Sequence, residues 1–114
     1  ITIEDARYAK ALNTVDYIKR YIFPGSFIPC ISVMTQAASE QKLRLKHLED
    51  IGLSYAQTLN CWRQRFLEQR DQVRALGFDE RFIRMWDFYL CYCEGGFCEG
   101  VISDVHLLFE ASAY

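Results

Sequence analysis

The stretch Tyr17-Ile-Lys-Arg-Tyr-Ile-Phe-Pro-Gly-Ser-Phe-Ile-Pro29, followed further on by Ser54-Tyr-Ala-Gln-Thr-Leu-Asn-Cys-Trp62, decides how this chain is read. Its aromatic run breaks at Pro24-Gly25, where proline fixes φ and glycine permits backbone conformations closed to other residues. Apolar residues return at once in Phe27-Ile28-Pro29. A segment this apolar and this sharply bent is either a buried corner or the wall of an apolar pocket. Its own residues do not separate the two.

Working outward, Ile1-Thr2-Ile3 reads as the end of a strand. Tyr8, Leu12, Val15, Ile18 and Ile22 recur at three- and four-residue steps, which predicts helix over residues 4–21, broken near Asn13 with Thr14 as cap. Pro29 suits a first helical position, and Ile31, Met34, Ala37 and Ala38 continue an apolar stripe towards Gln41. Leu43, Leu45 and His47 alternate with Arg44 and Lys46, a half-buried strand over 43–50. Ser54 and Gln57 have the spacing of a capping box. The helix it opens places Tyr55, Leu59, Trp62, Phe66 and Val73 on one side and stops at Gly77. Asp79 caps the next helix, whose stripe of Phe82, Met85, Trp86, Tyr89, Leu90 and Cys93 is the clearest periodicity in the chain. Gly95-Gly96 is expected to end it. A last strand near 102–109 turns Val105, Leu107 and Phe109 inward. The order is that of an α/β protein, and the periodicities leave the direction of the last strand open.

Composition excludes some functions. With 51 % hydrophobic and 25 % charged residues the chain is of ordinary globular type, rich in aromatics at 15 %. A net charge of −2 argues against a dedicated nucleic-acid binder. Lys19-Arg20 with Arg63, Arg65, Arg70 and Arg74 make either a local basic face or a solvated helix surface. No apolar run reaches the roughly 20 residues that span a bilayer. There is no signal-peptide pattern, and the start at Ile1 without Met suggests an excised or processed chain. Cys91, Cys93 and Cys98 match no common zinc spacing, and on a helix Cys91 and Cys93 point about 200° apart. Metal binding is therefore not expected, and all five cysteines read as buried reduced thiols of a cytosolic protein.

Tyr21-Ile-Phe-Pro-Gly-Ser-Phe-Ile-Pro29, Ser54-Tyr-Ala-Gln-Thr-Leu59 with Trp62, and Phe88-Tyr-Leu-x-x-Cys93 resemble the C-terminal part of the cyclopropane-fatty-acyl-phospholipid and mycolic acid cyclopropane synthases. The likeness covers nearly the whole chain, in order and at matching spacing. It implies the C-terminal half of a class I S-adenosylmethionine-dependent methyltransferase fold, Rossmann-like, with the last strand antiparallel between its two neighbours. Residues 1–114 would then be a single partial domain whose cofactor-binding half lies upstream, since the six glycines contain no G-x-G-x-x-G. The activity implied is methyl transfer from S-adenosylmethionine to the double bond of an unsaturated phospholipid acyl chain, followed by deprotonation by bound bicarbonate and ring closure.

By this resemblance Tyr55 helps hold the bicarbonate, and Ile1 falls where a further backbone contact would arise. Phe23 matches an aromatic beside the cationic carbon, where a ring face is worth about 0.5–2 kcal/mol. Ile28, Leu59, Tyr89 and Cys93 match positions lining the acyl channel, although spacing alone makes them core residues. Tyr55 beside Ser54 also reads, on sequence, as a phenol among the free amides of a helix start. His47, His106 and the adjacent carboxylates Glu49-Asp50 and Asp79-Glu80 read as structural or surface groups. Two departures stand out: Ser26 replaces the family's second glycine, and Ser54 replaces a histidine. The resemblance implies a cytoplasmic setting, peripheral contact with the inner face of the membrane, no nucleic acid, and leaves a homodimer open. Two other readings stay open: a relative that methylates carbon or nitrogen of another apolar substrate without ring closure, and a non-catalytic lipid-binding or dimerisation module.

Overall fold

In the computed structural model, which describes residues 1–113, one terminal segment joins two short antiparallel ladders. β1 (Thr2–Ile3) pairs with β3 (Ile102–Ser103), and β2 (Leu43–Asp50) pairs with β4 (Val105–Ala111). Only Asp104 separates β3 from β4, so the last extended stretch runs antiparallel to both neighbours, as expected. The Ile51 amide donates to the Asp104 carbonyl at 2.9 Å and fastens this change of partner.

Inside the β2–β4 ladder the register slips between Leu45 and His47. Leu45 faces Phe109, whereas Leu48 faces Leu107 and His47 faces the exposed Leu108. One extra residue exchanges the two faces of a strand. The alternation read through His47 is therefore corrected: beyond Lys46 Leu48, not His47, takes the face shared with Leu107, and every residue of β2 except the half-buried Leu45 is exposed.

The helices begin and end at side chains the sequence reading partly misassigned. α1 (Asp5–Leu12) stops early, and Thr14 donates its hydroxyl back to the Lys10 carbonyl at 2.7 Å instead of capping forward. Asp16 accepts from the Lys19 amide at 2.9 Å and opens a π-helical turn, Ile18–Ile22, where continuous α-helix was expected. Pro29 lies before α2 (Ile31–Glu40) rather than in its first turn, and its carbonyl accepts from the Ile3 amide at 3.0 Å, tying the bend to β1. No capping box forms at Ser54. α3 (Gly52–Glu68) starts three residues earlier than a Ser54 cap would give, with the Asp50 carboxylate accepting from the Gly52 amide at 2.9 Å and from the Ser103 hydroxyl. These bonds hold the Asp50 carboxyl below its ordinary range, the Ser103 hydroxyl foremost. Gly52 suits this corner because a Cβ there would run into Ser103 and come within 3.1 Å of Asp50.

α4 (Arg70–Ala75) continues after a break at Gln69 and ends at Gly77, φ 97°. Asp79 caps α5 (Glu80–Cys98) as expected, accepting from the Phe82 amide at 2.9 Å. Gly95-Gly96 does not end that helix. At Gly96 a Cβ would sit 3.0 Å from Ile102, so the glycine serves the close approach of α5 to β3. The helix consequently keeps Phe97, which joins Ala56, Leu59, Leu90 and Cys93 in the buried cluster between α3 and α5.

Two further expectations change. Cys30 and Cys93 are buried, but Cys61, Cys91 and Cys98 are exposed, all as free thiols. The basic face read from Lys19-Arg20 and the arginines of α3 and α4 is partly paired: Arg63 pairs with Asp87 at 2.6 Å and Arg74 with Asp71 at 2.6 Å and with Glu80, while Lys19 donates to the Ala11 and Thr14 carbonyls.

Candidate functional site: an apolar cavity between the bend and α5

A cavity of about 1000 Å³ lies where the 23–28 bend, α3 and α5 converge. Its volume is at the upper end of small-molecule pockets. Phe23, Ile28, Tyr55, Leu59, Tyr89 and Cys93 all line it, so the structure brings together every site residue named from sequence. The bend achieves this with three local devices. The π-helical turn closes with the Phe23 amide donating to the Ile18 carbonyl at 2.7 Å; Gly25 takes φ 79°; and the Ser26 amide returns to the Phe23 carbonyl at 3.1 Å. The Phe23 ring, 51 % exposed, is thereby held edge-to-face against Tyr89, centroids 6.3 Å apart at 83°. Ser26, in place of a glycine, also lines the cavity.

α5 supplies the opposite wall. Tyr89 meets Trp86 edge-on at 5.1 Å, and Leu90, Cys93 and Phe97 follow on the same face. Burial, and next to it the neighbouring Cys93, push the Tyr89 phenol from 10.0 up to about 12, so it is neutral at physiological pH. Burial likewise raises the Cys93 thiol, the opposite of an activated nucleophile.

α3 supplies the third wall. Leu59 is buried and Tyr55 is half-buried, its ring 4.9 Å from Phe97 and 6.0 Å from Trp62. Tyr55 is the fourth residue of α3 and its amide donates to the Ile51 carbonyl at 2.9 Å, so it does not sit among free amides. What it offers is a hydroxyl with no hydrogen-bond partner among the described residues. No such unpartnered side-chain atom is buried, so this hydroxyl is accessible. A single hydroxyl fits one contact to bicarbonate, not a complete site.

Sequence reasoning missed Trp86, Leu90, Trp62 and Phe97 as cavity residues. Phe97 was legible: it continues the α5 stripe four residues beyond Cys93, and only the Gly95-Gly96 stop concealed it. Among the described residues no group of three or more His, Cys, Asp or Glu comes together to hold a metal ion. No described helix is long and apolar enough to cross a membrane.

The family described as mycolic acid cyclopropane synthetase matches residues 1–107. This chain belongs to that family. Among relatives of the synthetase family, the tuberculostearic acid methyltransferase UfaA1 of Mycobacterium tuberculosis is 38 % identical over 103 residues, 90 % of this chain and 24 % of its own length. The cyclopropane-fatty-acyl-phospholipid synthase of Escherichia coli K12 is 35 % identical over 86 residues, 75 % of this chain and 22 % of its own. The crystal structure of the mycolic acid cyclopropane synthase CmaA1 complexed with SAH and CTAB superposes with a TM-score of 0.76 at 27 % identity, over 91 % of this chain and 34 % of that one. The chain thus spans about a quarter of the length of these curated relatives, and it has the fold of part of a methyltransferase.

The residues present make no cradle for S-adenosylmethionine. β1 passes into α1 through Glu4 without a glycine, and Gly25, Gly77 and Gly100, the positive-φ glycines, follow helical turns rather than strands. Gly52 does lie between a strand and a helix, but its amide is taken by Asp50.

Proposed function

We propose that this chain is the acyl-receiving C-terminal part of an S-adenosylmethionine-dependent methyltransferase that adds a one-carbon unit across the double bond of an unsaturated phospholipid acyl chain, closing a cyclopropane. The observation that supports this most is the meeting of Phe23, Ile28, Tyr55, Leu59, Tyr89 and Cys93 on one apolar cavity. An acyl chain has no polar group to recognise, so it is held by shape, by burial at about 25 cal/mol per Å² of apolar surface, and by exclusion of water. In this reading the cofactor supplies the methyl group and is held mainly by residues outside this chain, so 1–114 forms a partial domain.

The part assigned to the chain's own residues is threefold. Leu59, Ile28 and Cys93 hold the hydrocarbon. The Phe23 and Tyr89 rings present π surface to electron-deficient carbon and shield it from water. Tyr55 donates its hydroxyl to the base, for which bicarbonate is the candidate, with its other contacts made outside these residues.

A second reading is methyl transfer without ring closure, favoured by the 38 % identity to a relative described as a methyltransferase. One experiment tests both. The full-length protein is incubated with methyl-labelled S-adenosylmethionine and phospholipid bearing monounsaturated chains, and the released acyl esters are treated with ozone. Labelled product that resists ozone is the ring; labelled product that is cleaved retains an alkene. Label appearing only on nitrogen, or none on acyl carbon, overturns the proposal.

A further inference from the structure

We propose that Tyr17, which lies outside the apolar cavity, is a positioning residue for the reaction: its hydroxyl seats the π-helical turn on α5 and so holds the Phe23 ring at the cavity wall. Its part rests on the proposed function, which sets Phe23 beside electron-deficient carbon, and it goes further by naming what keeps that ring in place. Phe23 needs such support. Its ring is half exposed, and no residue from 13 to 25 is buried. The backbone bonds of this segment are made within itself or to the end of α1: the Thr14 amide donates to Ala11, the Arg20 amide to Asp16, the Phe23 amide to Ile18 and the Ser26 amide to Phe23. None of these reaches α5. Side chains must therefore fix the turn there.

Two contacts one turn apart on α5 do so. The Tyr17 hydroxyl donates to the Met85 carbonyl at 2.7 Å, and the Phe23 ring meets Tyr89 edge-on. Tyr17 immediately precedes the turn Ile18–Ile22 and Phe23 immediately follows it, so the turn is an arm held at both ends. The Tyr17 ring is wedged between Phe88 at 4.6 Å, Tyr21 at 5.3 Å and Tyr92 at 6.2 Å, which aims its hydroxyl. Burial first, then Tyr21, keeps the phenol above its ordinary range, so it remains a donor at physiological pH. The other ties are weaker or lead elsewhere. Tyr92 reaches Asp16 only at 3.4 Å, long for a hydrogen bond between oxygens. Lys19 bonds the Ala11 and Thr14 carbonyls, not α5. Ile18 packs on the buried cluster, a contact without directional preference.

Tyr17→Phe keeps the ring packing and deletes the hydroxyl. In the full-length protein acting on monounsaturated phospholipid, it should lower kcat about fivefold, the worth of one neutral hydrogen bond, with KM for lipid and for S-adenosylmethionine and the melting temperature little changed. Amide hydrogen exchange across residues 18–23 should quicken by a similar factor, a readout that needs no turnover. Tyr21→Phe is the control and should change neither, since the contacts of Tyr21 among the described residues are through its ring, to Tyr17 and Arg20. In a Phe23→Leu background the loss caused by Tyr17→Phe should vanish, because no ring is left to place; two independent packing defects would instead multiply. Unaltered exchange at 18–23 overturns the assignment, and so do multiplying losses in the double variant. A parent protein that transfers no methyl group to acyl carbon overturns the proposed function alone, and the exchange comparison then decides whether Tyr17 holds the turn.

Discussion

Tyr55 is the side chain whose role is most open to test, because its ring is fixed by Phe97 and Trp62 while its hydroxyl is left without a partner. Tyr55→Phe keeps the packing and deletes one donor. With the function proposed above, in the full-length protein it should lower turnover by about thirty- to 150-fold, ~2 to 3 kcal/mol, with cofactor affinity little changed. Added bicarbonate should partly restore the rate; unchanged turnover would return Tyr55 to a packing role. Tyr89 offers a pH test. Its phenol is raised from 10.0 to about 12 by burial first, so it stays protonated in the folded protein after the unfolded chain has begun to ionise. The unfolded state then binds fewer protons, and stability should fall as pH rises from about 10 to 12. Tyr89→Phe should reduce that slope, followed by denaturant midpoint against pH. Tyr17 and Tyr92 are raised by burial too, so some slope should remain.

Helix α5 carries the cavity wall because its apolar stripe has helical period over its whole length, and that stripe was readable from sequence as far as Cys93. Its last turn was not, since Gly95-Gly96 has the look of a stop and nothing local reveals that Ile102 requires a glycine at 96. The start of α3 was misread for a similar reason. Ser54 and Gln57 have the right spacing for a cap, but Asp50 reaches the Gly52 amide first, supported by Ser103 from 53 residues away. The bulge at Lys46 is equally invisible locally, because register depends on the partner strand. That the bend and α5 face each other was an expectation from resemblance, as spacing alone made their residues core. Leu59 and Cys93 in fact belong both to the buried cluster and to the cavity wall, so bulk tests which role dominates. Leu59→Trp and Cys93→Trp should shift acyl preference towards shorter chains without weakening cofactor binding, beyond an overpacking cost of about 1–3 kcal/mol. Product profile and melting temperature are measured on the same variants; lowered stability with an unaltered chain-length profile would remove these residues from the acyl site.

The whole molecule is too open for its length. Its radius of gyration is 17.3 Å, with extents of 58 × 28 × 26 Å, where a compact domain of this size has about 13 Å. Large apolar side chains such as Leu53 at 70 % and Leu108 at 60 % are exposed. The isolated chain, without a glycine cradle, should show no heat of binding with S-adenosylmethionine in isothermal titration. Micromolar affinity would mean that the cofactor site lies within these residues after all. The segment at 102–111 has a different kind of consequence. β1 and β2 have no ladder with one another, and each pairs instead with the same stretch, residues 102–111. In refolding, neither ladder can form until that stretch has come back to its partner strand. These are contacts of long sequence separation, slow to form and open to association in the interval. Both ladders therefore hang on one folding event, the docking of residues 102–111.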